Sequence, residues 1–181
     1  DLVSEDQLTF HKRIVSSVHE NDGKIALQIL HTGRYGLMEN CVAPSPITAP
    51  INFYRPKELS NAEILQTIDD YVRCAKLAKN AGYDGVEIMG SEGYLINQFI
   101  VKSTNHRTDN WGGAFENRIR FPLRIVERIR EEVGSQNFII IFRLSCLDLV
   151  DEGSNFEEVV ELGQRVEEAG ASLINTGIGW H

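Results

Sequence analysis

Four short, mostly apolar runs recur along the chain: Lys24–Leu30, Tyr83–Met89, Phe138–Leu144 and Ala171–Thr176. Each is bounded by glycine or polar residues, the pattern of strands buried in a parallel sheet. Between them apolar residues return every three or four positions. Ile64, Ile68, Tyr71, Val72 and Ala75 precede the second run, and Ile119, Leu123, Val126, Ile129 and Val133 precede the third. Phe156, Val159, Val160, Gly163 and Val166 precede the fourth, and each series marks one face of a helix. The spacing predicts helices over about 5–20, 61–81, 116–133 and 155–169, with ends good to a few residues. Ser4 with Gln7, Ser60 with Glu63 and Ser154 with Glu157 have capping-box spacing at three helix starts. Pro122 requires that the third helix start later than the periodicity suggests, or bend.

Serial alternation of strand and helix defines an α/β chain, built either as an open doubly wound sheet or as a closed eight-stranded barrel. A whole (β/α)8 barrel takes about 250 residues, so four units in 181 residues read as a partial barrel and a single partial domain over 1–181. The long segments 31–60 and 90–115 follow strand C-termini, whereas the returns at Asn80–Gly82, Gly134–Gln136 and Ala169–Gly170 are short. That asymmetry places the working face at the C-terminal ends of the strands.

Composition narrows the function classes. Hydrophobic residues make up 42% of the chain and charged ones 24%, which suits a folded domain and not a disordered segment. A formal charge of −8 without a local basic patch argues against nucleic acid as a partner. Neither an apolar run of about 18 residues nor a basic leader is present, so the expectation is a cytoplasmic protein without a membrane span. Cys41, Cys74 and Cys146 form no Cys-x-x-Cys pair, and the expected state is three reduced, structural thiols with no metal site.

Polar residues within or just beyond buried strands are the informative ones, because an unpaired buried polar group costs about 1–3 kcal/mol. Gln28 lies inside the first run, Tyr94 follows the second, Arg143 ends the third and His181 follows the fourth. Singly, each has a structural reading: a bonded strand amide, a packed ring, a guanidinium paired with Glu87 or Asp148, and an idle imidazole. Together they deliver donors and proton carriers to one end of the sheet, the layout of a cofactor site. Glu87 and Glu92 offer a different chemistry, a carboxylate pair for glycoside hydrolysis. Gly177-Ile-Gly179 lacks the third glycine of a dinucleotide fingerprint. Glu152, Glu157, Glu158, Glu161, Glu167 and Glu168 read as a solvated helix face.

Three segments are more specific. Lys24–Tyr35, Ala81–Phe99 and Thr104–Phe121 closely resemble the old yellow enzyme family of flavin barrels, and Asn175–His181 resembles its 2,4-dienoyl-CoA reductase branch. The resemblance implies strands 3–6 of the family barrel, with FMN across the strand C-termini. It implies that Gln28 and Arg143 contact the flavin, that Tyr94 donates a proton and that His181 is its partner. It also implies that Thr104, Asn105, His106 and Arg107 contact substrate near the acyl thioester. The implied reaction is NADPH-dependent reduction of a 2,4-dienoyl-CoA, in which hydride addition is followed by protonation from Tyr94. An unperturbed phenol, with a pKa of about 10, is a proton reservoir for such a step. The branch also carries a 4Fe-4S cluster and FAD, both outside this chain. Where many relatives have a His pair or a His-Asn pair, this chain has Met89 and Glu92, a departure that disfavours simple enone or quinone reduction. Two other classes stay open: a non-catalytic half barrel that self-associates through exposed edges, and a carboxylate hydrolase on the same scaffold.

Overall fold

The four apolar runs form one parallel sheet in the order β1 (Ala26–Ile29), β4 (Gly85–Gly90), β5 (Ile139–Leu147) and β6 (Leu173–Ile178). The computed structural model describes residues 2, 4–134 and 137–180. Two short strands, β2 (Val42–Ala43) and β3 (Lys57–Glu58), pair in parallel within the segment after β1. Helix α1 (Leu8–His19) precedes the sheet, α2 (Asn61–Ala81) leads to β4, and α3 (Leu95–Ile100) lies in the segment after it. A short α4 (Phe115–Arg118) and α5 (Arg120–Val133) lead to β5, and α6 (Phe156–Glu168) to β6. The arrangement is a partial (β/α)8 barrel, half of its strands with their helices on one side.

Register decides which residues share a face. Gln28, Glu87, Ile141 and Leu173 are aligned across the four strands, and Met89, Arg143 and Asn175 form the next row of that face. On the opposite face Val86, Ile88, Ile140 and Phe142 are wholly buried beneath Ile64, Ala75, Ile125 and Ile129 of α2 and α5. Burying each such side chain contributes about 1.5–3 kcal/mol, so the helix-covered side is the stable core. The other side stays open: Ile139 and Leu173 are exposed, and Gln28 with them. The outer edges of β1 and β6 pair with no other named strand among the described residues.

Local details depart from the sequence reading at four places. The third helix breaks at Ile119, the N-cap of α5, and Pro122 occupies the third helical position, where a backbone N–H has no intrahelical acceptor to lose. The cap of α6 is Asn155 and not Ser154: Asn155 Oδ1 accepts from Glu158 N at 2.9 Å, while Ser154 N donates to Asp148 Oδ2 at 2.8 Å. The fourth strand begins two residues later than its apolar run, and β5 extends to Leu147 through an irregularity between Ser145 and Leu147. Helix α3 and the β2–β3 pair lie where only loops are expected. The Ser60–Glu63 box is present as expected, with Ser60 N donating to Glu63 Oε2 at 2.9 Å. Glu158 leaves the solvated face to meet the buried Arg118 guanidinium at 2.5 Å. Cys41 is buried and Cys74 half-buried, as packed thiols are, but Cys146 is exposed. No helix among the described residues is long and apolar enough to cross a membrane.

Candidate cofactor site on the open sheet face

The open face carries a connected polar array on an otherwise apolar strip. Gln28 Nε2 donates to Glu87 Oε1 at 2.7 Å. Asn175 Nδ2 reaches across β5 to donate to Glu87 Oε2, also at 2.7 Å. One carboxylate therefore links the first, second and fourth strands of the sheet. Arg143, in the next row, bonds Glu92 Oε1 through Nε at 3.0 Å and Nη2 at 2.5 Å. The expected partners of Arg143 are thus corrected. Glu87 is occupied by two amides, and Asp148 is buried, accepting from Asn97, Ser145 and Ser154. Nη1 of Arg143 makes no hydrogen bond to a described residue, leaving a cationic donor at mid-sheet. Parallel strands lie about 4.8 Å apart and rise about 3.3 Å per residue, so Gln28 and Arg143, two strands and two residues apart, are separated by roughly 12 Å at the backbone.

Tyr94 reaches this end of the sheet as the N-cap residue of α3, and its backbone is held from two sides. Asn97 Oδ1 accepts from Gly93 N at 2.9 Å, and its Nδ2 donates to Asp148 Oδ1 at 3.0 Å, which ties the turn to the end of β5. Gln98 Nε2 donates to Gly93 O at 2.6 Å, and its Oε1 accepts from Arg34 N at 3.1 Å, which ties the turn to the helical turn Gly33–Tyr35 that follows β1. Glycine is required at position 93: φ is +80°, and a Cβ there would lie 2.9 Å from the Trp180 ring. The Tyr94 ring, half-buried, meets Tyr35 edge-on with centroids 6.2 Å apart. The buried Arg34 guanidinium lies 5.9 Å from the Trp180 ring, so the residue before His181 belongs to the same assembly. His181 itself lies outside the described residues.

The segment 104–107 is built differently from the expectation of four substrate contacts. Thr104 Oγ1 donates to Gln98 O at 2.8 Å, and Asn105 Nδ2 donates to Phe99 O and Trp111 O. Arg107 donates to Pro44 O and Leu59 O and pairs with Asp109 at 2.6 Å. All three side chains are buried and spend their donors on the protein; His106 alone of the four is exposed. Burial also pushes the His31 imidazole below its ordinary pKa despite Asp70 nearby, which keeps Nδ1 free to accept from Gly33 N at 3.0 Å.

Sequence reasoning located Gln28, Arg143 and Tyr94 at one end of the sheet, and the first two do share its open face. It missed the amide contacts of Glu87, the part of Asn175, and the Asn97–Gln98 clamp. The signal for the last was present: two adjacent amides in a six-residue apolar stretch have to find partners when buried.

The chain spans 26% to about half the length of the curated relatives it matches. It is 40% identical over 171 residues, 92% of its own length, to an NADH oxidase of Thermoanaerobacter brockii. It is 35% identical over 177 residues to an NADPH dehydrogenase of a Geobacillus strain, covering 97% of this chain and 51% of the relative. Among solved structures, a 2-naphthoyl-CoA reductase in complex with 2-naphthoyl-CoA superimposes with a TM-score of 0.94 at 33% identity, over 99% of this chain and 30% of that one. An old yellow enzyme homologue from Zymomonas mobilis superimposes with a TM-score of 0.87 at 30% identity, over 98% of this chain and 54% of that one. The model of the NADH:flavin oxidoreductase / NADH oxidase family matches residues 1–181, and the chain belongs to that family.

Proposed function

We propose that this chain is half of an FMN-binding barrel that reduces the conjugated double bonds of 2,4-dienoyl-CoA, or of a chemically similar unsaturated acyl-CoA thioester, at the expense of NADPH or NADH. The observation that carries the reading is the array on the open face: an amide at Gln28 near the C-terminal end of β1 and a cationic Nη1 at Arg143 in the middle of β5. This donor set fits a flavin, whose pyrimidine edge offers carbonyl acceptors and an imide N–H and gathers negative charge on reduction. When bound, FMN supplies the hydride that adds to the conjugated system.

The chain's own residues supply the rest. Gln28 hydrogen-bonds the pyrimidine edge and Arg143 provides the compensating positive charge. The Tyr94 phenol delivers the proton to the carbon skeleton after hydride addition, its position fixed by the Asn97 and Gln98 bonds to Gly93. His181 assists Tyr94 or the thioester oxygen. In the segment 104–107, His106 faces the acyl thioester, while Thr104, Asn105 and Arg107 hold the loop that presents it. The thioester preference draws support from the likeness to a solved reductase whose ligand is an aroyl-CoA. FAD and a 4Fe-4S cluster would act from segments beyond this chain.

A protein carrying all eight strands, with Tyr94→Phe, tests the reading. FMN content and reduction by NADPH are expected to stay as in the parent, while turnover of a 2,4-dienoyl-CoA falls by about 10²–10⁴. Unchanged turnover removes Tyr94 as donor, and absence of FMN from the parent removes the flavin reading altogether.

A further inference from the structure

Glu87 occupies the centre of the open face, yet the proposed chemistry gives it nothing to do. An ionised carboxylate can only accept hydrogen bonds. The Gln28 atom 2.7 Å from Glu87 Oε1 is therefore the amide nitrogen, and so is the Asn175 atom 2.7 Å from Oε2. Nothing else in the row competes: the aligned positions on β5 and β6 are Ile141 and Leu173, and Glu92 is occupied by Arg143.

We infer that Glu87 is a positioning residue that fixes which way round the Gln28 amide faces the flavin; the inference rests on the FMN reading above. With one Nε2 hydrogen given to Glu87, Gln28 presents its carbonyl oxygen and its remaining N–H side by side. That edge is an acceptor next to a donor, the complement of an imide N–H next to its carbonyl. Turned the other way, the amide would set its oxygen against the Glu87 carboxylate and its nitrogen against the imide nitrogen. Asn175 anchors the second carboxylate oxygen, so Glu87 is held from both sides of β4 and stays directed at Gln28.

The test compares FMN with 3-methyl-FMN, which lacks the imide N–H, by quenching of flavin fluorescence on binding to an eight-stranded protein. The parent is expected to prefer FMN about tenfold, the value of one hydrogen bond that is matched in one ligand and lost in the other. Glu87→Gln, which is isosteric but can offer Gln28 either a donor or an acceptor, is expected to bring the ratio to about threefold or less. Asn175→Ala is expected to lower the ratio by a smaller factor, and it decides the matter alone if Glu87→Gln does not fold. A ratio unchanged from the parent in the folded variants overturns the positioning role while leaving the flavin reading intact. Failure of the parent to bind FMN overturns both.

Discussion

Asn97 donates to Asp148 across 3.0 Å, and that bond joins the turn carrying Tyr94 to the end of β5. Both residues are almost completely buried, and Asp148 also accepts from Ser145 Oγ at 2.6 Å and Ser154 N at 2.8 Å. The node therefore fixes three segments at once: the Tyr94 turn, the last residues of β5 and the entry to α6. Asp148→Ala would leave two buried donors, Asn97 Nδ2 and Ser145 Oγ, and the half-buried Ser154 N without an acceptor. The expected loss is about 3 kcal/mol of unfolding free energy, read from denaturant titration. A loss below about 0.5 kcal/mol, the usual range of a surface substitution, would show that the node is not a constraint.

Gly93→Ala is expected to act on Tyr94 through the backbone. The substitution places a Cβ at φ +80° and 2.9 Å from the Trp180 ring, so either the turn or the ring must move. The expected cost is about 1–3 kcal/mol in stability, with a fall in turnover larger than any change in flavin content. Equal turnover for variant and parent would mean that the turn has slack.

Acid should weaken the fold in two stages. Burial lowers the pKa of both His31 and His11. The unfolded chain then binds protons that the folded one refuses. Their stabilising effect is complete above an unfolded His pKa of about 6.5 and is lost progressively below it. Asp84 adds a second stage. Burial works against its charge, but bonds from His19, Ile25 N and Lys24 outweigh it and hold the carboxyl below the ordinary range. That contribution is complete above an unfolded Asp pKa of about 3.9 and is lost as pH falls further. Asp84→Asn should cost about 1 kcal/mol at pH 7, kept small by solvent screening of the pair, and clearly less at pH 2. Urea titrations at pH 7, 5 and 2 check both stages; equal stability at pH 7 and pH 5 would contradict the first.

The three thiols should differ in reactivity. Cys146 is exposed, Cys41 is buried, and burial pushes Cys74 up to about 11. In the 181-residue chain at pH 8, a disulfide reagent is expected to label one thiol quickly and all three after unfolding. Rapid labelling of two or more thiols in the folded chain would contradict this ordering.

Much of the scaffold was legible because its elements have clear periods. The run at Ile139–Phe142 reads as strand at sight, and the apolar stripe from Ile64 to Ala75 reads as one helix face. Helix α3 was not legible, because Leu95–Ile100 is buried on every side and shows neither period. The cap of α6 was ambiguous in principle: Ser154 and Asn155 are each followed three residues later by a Glu, and only the Asp148 bond to Ser154 N decides between them. The partner of Arg143 and the two amides on Glu87 depend on register between strands far apart in sequence, which no local pattern encodes.

The open face is proposed to receive a flavin whose charge Arg143 compensates. The most direct test is the midpoint potential and dissociation constant of FMN in an eight-stranded protein, compared with its Arg143→Gln variant. Loss of the cation is expected to weaken FMN binding about tenfold or more and to lower the two-electron potential by about 30 mV or more, the equivalent of 1.4 kcal/mol. Identical affinity and potential in the two proteins would contradict the account.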